Sequence, residues 1–202
     1  MEQEPERQQQ DRSREDVQDL LAVHETLRGR KRAFDSIVER YTPALYSLSY
    51  RMLGRSEDAE EAVQEIFMKA YRSLPKFRLS RRFYPWIYTI AINHLRSLAR
   101  KKRAKFRPRI LRYDQELLAT LPASGNPDPA DVVERAEVEK LIADAIQALK
   151  PVYKEVFLLR QVEGMPVRDV AEIMDLPEGT VKTYLHRARV QLTAILTKVG
   201  LD

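Results

Sequence analysis

The stretch near the carboxyl terminus places basic and short polar side chains on one face of a predicted helix. Val181, Leu185 and Ala188 recur at three- and four-residue steps and form its apolar face. Hydrogen-bond donors near a helix N-terminus are the groups that read base edges in the major groove of DNA. The predicted outward side chains are Glu178, Thr180, Lys182, Thr183, His186 and Arg187.

A shorter apolar pattern precedes this helix. Val170, Ala171 and Ile173 are spaced as the buried side of a short helix, and a tight turn at residues 175–177 follows. Two helices joined by such a turn form a helix-turn-helix, and the small Ala171 suits their close crossing. An ordinary helical hairpin with a solvated face stays open as the alternative.

A second set of polar residues lies on a predicted helix in the first half of the chain. Asp58, Glu61 and Glu65 follow one another at three- and four-residue steps, with Gln64 alongside. This acidic face lies within a basic part of the chain. It either pairs internally with Arg55 and Lys69 or docks a basic partner.

Aromatic and basic residues are interleaved further along the chain. A basic loop over residues 78–82 leads into Phe83, Tyr84, Trp86 and Tyr88. Such a mixture can stack unpaired bases. Core packing is the alternative, and for Trp86 it is the favoured one.

The charge of the chain is unevenly distributed. The 202 residues carry 35 Lys and Arg against 30 Asp and Glu, a net charge of +5. Residues 21–112 hold 22 basic and eight acidic side chains, and residues 95–112 hold nine basic side chains and no acid. So dense a positive charge predicts a phosphate-binding surface, with a solvated basic tail as the alternative.

Composition excludes several classes of protein. The chain has no cysteine, no apolar run long enough to cross a membrane and no apolar leader, so we expect a cytoplasmic protein. His24, His94 and His186 stand apart, and no Gly-rich phosphate loop or hydrolase motif occurs. We therefore expect neither catalysis, nor a metal site, nor a cofactor.

Helical periodicity recurs along the chain, and the six glycines are sparse. The predicted fold is all-α, with two small helical domains joined by a flexible Pro-rich linker, the second containing the helix-turn-helix. Pro43 should kink or split one helix, Ser56 should cap the next, and one helix should span residues 152–163. The predicted organisation is a disordered acidic tail (1–15), a first domain (16–106), the linker (107–130) and a second domain (131–202).

Two segments resemble a known family. The run from Pro177 through Glu178-Gly179-Thr180-Val181-Lys182-Thr183, with His186-Arg187-Ala188-Arg189, is similar to a signature of group-four, extracytoplasmic-function (ECF) sigma factors of RNA polymerase. The run from Asp58 to Phe67, with Lys69-Ala70-Tyr71, resembles the helix with which that family binds core polymerase.

The resemblance implies a role for each segment. The second domain would bind the minus-thirty-five promoter element through Thr180, Lys182, Thr183, Tyr184, His186 and Arg187. The polymerase-binding face would comprise Asp58, Glu61, Gln64, Glu65, Phe67 and Lys69. A pocket for a base flipped from the minus-ten element would be formed by Phe77, Ile90 and Asn93 with the loop Arg78, Leu79, Ser80 and Arg81. Arg96, Arg100 and Lys101 would hold the DNA backbone.

The function implied is that of an alternative sigma factor, which directs core polymerase to specific promoters and promotes strand opening in a stress or envelope response. Its expected partners are promoter DNA, the clamp coiled coil of the largest polymerase subunit, the beta flap and an anti-sigma factor. A stand-alone helix-turn-helix regulator is the alternative function, and a single-strand RNA-binding protein would fit the basic segment alone.

Overall fold

The computed structural model describes residues 16–105 and 129–198, without the side chains of residues 103–105, 129–137 and 139. Every regular element in these ranges is helical, which confirms the predicted all-α class. The tail predicted over residues 1–15 and nearly all of the linker predicted over residues 107–130 lie outside the described part of the chain.

Four α-helices form between residues 16 and 105. Gly54 ends the second of them in the left-handed conformation, with a φ of 79°, and its N–H bonds to the carbonyl of Tyr50. The helices are α1 (residues 16–27), α2 (Asp35–Leu53), α3 (Ser56–Ser73) and α4 (Phe83–Lys105), with 3-10 turns at Lys31–Phe34 and Leu74–Lys76.

Two local predictions in this half can be compared with the structure. Pro43 lies inside α2, so the helix is not split in two, and a kink there stays a prediction. Pro43 is exposed, so the backbone carbonyl that lacks its hydrogen bond lies on the solvent side of the helix. Ser56 is the first residue of α3 rather than its cap. Arg55 holds the capping position, and its side chain makes no capping hydrogen bond.

The second half forms the helices that carry the predicted helix-turn-helix. Asp175, with a φ of 54°, ends the first helix of that motif, and the N–H of Leu176 bonds back to the carbonyl of Ala171 over 3.0 Å. The predicted helix over residues 152–163 is an α-helix only in its first part and continues as a π-helical turn. The elements are α5 (Pro129–Ala148), α6 (Pro151–Phe157), the π turn (Leu158–Val162), α7 (Val167–Met174) and α8 (Glu178–Lys198).

Helix α4 lies at the centre of the packing. It packs on α2 and α3 and also on α7, so buried side chains from the two halves form one continuous cluster. Ile87, Ile92 and Leu95 of α4 are completely buried, as are Val170 of α7 and Val181 of α8. The two halves therefore contact each other directly through α4 and α7.

Candidate nucleic-acid and protein interfaces

Helix α8 exposes the polar face that its spacing predicts. Val181, Leu185 and Ala188 are buried against the rest of the second half. Since these residues fill the inner side, the polar residues between them face solvent. Lys182, Thr183, His186 and Arg187 are exposed, and Thr180 and Tyr184 are partly exposed.

One residue outside the predicted set contacts this face. The ring of Tyr153, on α6, lies 5.4 Å from the ring of Tyr184, and its hydroxyl accepts a 3.4 Å hydrogen bond from Nη1 of Arg187. Tyr153 therefore orients two of the predicted DNA-binding side chains. Local spacing carries no signal for it, because it lies 34 residues before Arg187.

Residues predicted to capture a flipped base differ in exposure. Asn93 is exposed on α4, and Ile90 is partly exposed beside it. Phe77 is only 7% exposed. Its ring packs against those of Trp86, at 4.9 Å, and Phe83, at 5.7 Å. Phe77 is therefore packed in an aromatic cluster with Trp86 and Phe83 and leaves little of its ring open to solvent.

The basic loop lies open to solvent. Arg78, Leu79, Ser80 and Arg81 are all exposed, and the N–H of Arg81 closes a turn on the carbonyl of Arg78 over 2.9 Å. A turn of this kind presents its side chains outward. Its charge and exposure suit contact with a polyanion.

The three cations predicted to hold the DNA backbone fall into two groups. Arg100 and Lys101 are exposed and make no ion pair with any side chain that the structure describes. Arg96 is partly buried, and its Nη2 lies 2.9 Å from Oε2 of Glu155 on α6. Only Arg100 and Lys101 are therefore free of carboxylates in this conformation.

On α3, the predicted acidic face is partly paired within the chain. Asp58 bonds to Lys102 and lies 3.9 Å from Arg55, while Glu65 lies 3.8 Å from Lys69. The expected pairing with Arg55 and Lys69 therefore exists, although pairs this exposed contribute little stability.

Two members of the face remain open. Glu61 and Gln64 are exposed, and Glu61 makes no ion pair within the described residues. Phe67 is buried, with its ring edge-on to Phe34 at 6.4 Å. The part of α3 available to a partner thus centres on Glu61 and Gln64.

His94, on α4, lies beside the acidic face. Its Nδ1 contacts Nζ of Lys69. Burial, and then the Lys69 ammonium, lower the pKa of His94 below its usual value, so the ring is neutral at pH 7. The contact therefore adds no second positive charge beside Glu65.

A shallow apolar groove beside α3 was not predicted. Phe34, Phe67, Met68, Tyr71 and Arg72 line it, and Met68 and Tyr71 are exposed. The sequence carried a signal at Met68, which falls beside the buried stripe of α3 rather than within it.

Contacts between the two halves were also not predicted. Arg82, at the end of the basic loop, bonds to both carboxylate oxygens of Asp169 on α7. The hydroxyl of Tyr88 donates a 3.2 Å hydrogen bond to Glu163, and the buried ammonium of Lys154 donates to the carbonyl of Met52. These pairs hold α4 and the end of α2 against the second half.

Two features are absent from the part of the chain that the structure describes. No helix in residues 16–105 and 129–198 is long and apolar enough to cross a membrane. In the same ranges, no group of three or more His, Asp or Glu side chains is arranged to hold a metal ion.

Comparison with protein families identifies both halves of this fold. Residues 37–105 match the model described as sigma-70 region 2, and residues 139–192 match sigma-70, region 4. The helical first half and the helix-turn-helix half therefore define a two-domain protein of the sigma-70 class.

Curated relatives narrow this class. The ECF RNA polymerase sigma-E factor of Haemophilus influenzae is 36% identical over 177 residues, which cover 87% of this chain and 93% of the relative. SigW of Bacillus subtilis is 33% identical, covering 84% and 92% of the two chains. The RNA polymerase sigma-H factor of Pseudomonas aeruginosa is 34% identical, covering 85% and 90%. The chain belongs to the ECF sigma factors, a group of alternative sigma factors within the sigma-70 family.

Two solved structures share the fold. CnrH in complex with the cytosolic domain of CnrY is 25% identical, with a TM-score of 0.67, covering 90% of this chain and 98% of that one. The sigma factor RpoE of Bartonella quintana, in complex with the anti-sigma factor NepR, is 24% identical, with a TM-score of 0.61, covering 82% and 98%.

Proposed function

We propose that this chain binds core RNA polymerase through α3, reads the minus-thirty-five element with α8, and opens the minus-ten element with α4 and the basic loop. One observation carries the proposal. The first half presents an exposed surface at Glu61 and Gln64, where the Glu61 carboxylate makes no ion pair within the described residues, and a separate basic surface at Arg100 and Lys101. A stand-alone helix-turn-helix regulator needs neither, whereas a sigma factor needs both.

The two DNA-binding steps differ in chemistry. Lys182, Thr183, His186 and Arg187 are donors or short polar groups suited to the major groove of duplex DNA. Asn93 can bond to the edge of an unpaired base, while Arg100 and Lys101 hold the phosphates. Unpairing a base costs a few kcal/mol, which binding energy supplies. The protein makes and breaks no covalent bond, and acts in the cytoplasm where polymerase is found.

The same proposal includes an anti-sigma factor as a partner. CnrH, which shares this fold, is bound to the cytosolic domain of another protein. Apolar side chains exposed here on α1 and α3 provide a surface for such a partner. They are Val17, Leu21, Leu27, Met68 and Tyr71.

Run-off transcription on genomic fragments tests the proposal. With core polymerase from the source organism, the purified chain should initiate at defined sites, and the transcripts identify the promoters. Core enzyme alone is the control. On those promoters the chain without polymerase should shift duplex DNA only weakly. Tight, specific binding without polymerase, together with no transcription in its presence, would instead identify a stand-alone regulator.

A further inference from the structure

Tyr153 lies on α6, outside the helix-turn-helix, and contacts two side chains of the exposed face of α8. Its hydroxyl accepts a 3.4 Å hydrogen bond from Nη1 of Arg187. Its ring centroid lies 5.4 Å from that of Tyr184, at an interplanar angle of 52°. Because Tyr184 and Arg187 are three residues apart, they are neighbours on the surface of α8. A single side chain of α6 therefore touches both.

The ring of Tyr153 is itself fixed in position. Tyr153 is partly buried and packs against the core, as Tyr184 does, and Val156 in the same helix is completely buried. The ammonium of Lys150 lies 5.9 Å from the centroid of the Tyr153 ring, within the range of a cation–π contact. A tyrosine has only two side-chain torsions, so these contacts leave its hydroxyl at a defined point beside α8.

Arg187, by contrast, depends on Tyr153 for its orientation. It is exposed and makes no ion pair with any carboxylate that the structure describes. The hydrogen bond to the Tyr153 hydroxyl raises the pKa of Arg187, so the bond is made by the charged guanidinium. A long side chain loses rotamer freedom when it binds a ligand, and a contact that orders the side chain beforehand reduces that cost.

The bond to Tyr153 leaves one edge of the guanidinium free. Nη1 is the terminal nitrogen on the Cδ side, and the opposite edge carries the parallel N–H groups of Nε and Nη2. Two parallel donors match two phosphate oxygens, or O6 and N7 of guanine in the major groove. Tyr153 thus decides which edge of Arg187 is presented to solvent, and that edge is suited to DNA.

We propose that Tyr153 is a positioning residue of the minus-thirty-five interface, which orients Arg187 so that its Nε and Nη2 bind a pair of acceptor atoms on duplex DNA. The pair is supplied by a phosphate or by a guanine. The inference rests on the proposed function, since that function assigns α8 to the minus-thirty-five element. It extends the interface from the helix-turn-helix to α6.

The orientation of Arg187 can be measured without DNA. Tyr153→Phe removes the hydroxyl and keeps the ring that packs on Tyr184, so the variant should fold as wild type does. Nitrogen-15 relaxation of the Arg187 Nε–H group, assigned by its loss in Arg187→Lys, reports the mobility of the guanidinium. Its order parameter should fall in Tyr153→Phe. Tyr46→Phe, on α2, is the matched control and should leave it unchanged.

Binding of the holoenzyme to a fluorescent promoter duplex, mapped by run-off transcription, measures the effect on DNA. Arg187→Ala should weaken binding about thirtyfold, as loss of a bidentate contact does. Tyr153→Phe should weaken it about fivefold, the effect of one hydrogen bond. The double variant should bind no more weakly than Arg187→Ala alone, because the hydroxyl acts through Arg187. Tyr46→Phe should bind as wild type does.

Base substitution and salt distinguish the two sources of the acceptor pair. If a guanine supplies it, the penalty for replacing one G·C pair should disappear in Arg187→Ala and shrink in Tyr153→Phe. If a phosphate supplies it, both variants should weaken all sequences alike. Arg187→Ala should then lower the slope of log Kd against log salt concentration by about one.

The remaining outcomes separate the inference from the proposed function. Wild-type affinity of Tyr153→Phe overturns the inference, and so does a loss that persists in full in the Arg187→Ala background. Wild-type affinity of Arg187→Ala overturns it together with the assignment of Arg187 to the minus-thirty-five element. If Tyr153→Phe mobilises Arg187 but the wild-type chain supports no transcription, the proposed function fails, while the orientation of Arg187 by Tyr153 stands.

Discussion

The hydroxyl of Tyr41 on α2 donates a 2.5 Å hydrogen bond to Oδ2 of Asp19 on α1, and the Asp19 side chain is completely buried. Arg40 bonds to the other carboxylate oxygen. This carboxylate therefore links α1 to α2, in addition to the apolar contact that α1 makes through the buried Val23. Burial raises the pKa of Tyr41 as well, so its hydroxyl remains a donor throughout the physiological range.

The first prediction concerns the pH dependence of stability. Burial, opposed by Tyr41 and Arg40, raises the pKa of Asp19 from 3.8 to about 6. The folded chain therefore binds the proton more tightly than the unfolded chain, and this group's contribution to the free energy of unfolding falls as pH rises from about 4 to above 6. Asp19→Asn removes the titration. As pH rises across that window, the free energy of unfolding of wild type should therefore fall, relative to that of Asp19→Asn, by on the order of 3 kcal/mol.

Urea denaturation at pH 4.5 and pH 7.5 measures this change. Asp35→Asn, at an exposed acid on α2, serves as the control and should show a nearly constant difference from wild type. A constant difference for Asp19→Asn as well would contradict the raised pKa.

The second prediction separates two residues assigned to the same base-binding pocket. Phe77→Ala removes a buried ring that packs on Trp86 and Phe83, so it should lower the free energy of unfolding by about 3–5 kcal/mol. Asn93→Ala changes an exposed side chain and should alter stability by less than about 0.5 kcal/mol.

Promoter opening by the polymerase complex tests whether Asn93 takes part in binding the base. Asn93→Ala should reduce permanganate reactivity of minus-ten thymines in the polymerase complex, despite its normal fold. Equal opening by Asn93→Ala and wild type would remove Asn93 from the site.

The third prediction concerns Gly179 in the first turn of α8. A Cβ added there would meet nothing within 4 Å, so the protein's own packing does not require glycine. Gly179→Ala should therefore raise the free energy of unfolding by about 0.5–1 kcal/mol. If the glycine instead allows the DNA backbone to approach α8, the same change should weaken promoter binding by the holoenzyme.

Thermal melting and a competition assay on minus-thirty-five duplex measure the two effects. Thr193→Ala, exposed further along α8, is the control and should leave DNA binding unchanged. Greater stability with full DNA binding would show that close approach of DNA does not require Gly179.

The fourth prediction concerns core polymerase. Glu61→Arg reverses an exposed charge that has no internal ion pair among the described residues, so it should abolish association with core enzyme without lowering the melting temperature. Glu39→Arg, exposed on α2, should bind normally. Asp58→Arg is a poorer probe because it also breaks the contacts of Asp58 with Lys102 and Arg55.

Gel filtration with purified core enzyme measures the association. Co-elution of Glu61→Arg with polymerase at wild-type affinity would remove the acidic face of α3 from the docking surface.

Several elements could be predicted because their causes are local. The three- and four-residue spacing of apolar side chains determines which face of α8 is buried, and Val181, Leu185 and Ala188 are buried as that spacing predicts. Rules that rest on a single residue, such as a proline inside a helix or a serine at its start, predicted the local structure less reliably. Pro43 does not split α2, and Ser56 does not cap α3, because packing outweighs a lost hydrogen bond or an absent cap.

The sequence by itself determined the helices, their inner and outer faces, the family signature and the segregation of charge. Only the tertiary structure decided which faces meet. The pair between Arg82 and Asp169 joins residues 87 positions apart, and that between Arg96 and Glu155 spans 59. The periodicity of the sequence describes the faces of a single helix. An ion pair between two helices depends on how those helices pack against each other. A cation that spacing assigns to DNA can therefore be bound by a carboxylate from the other half of the chain.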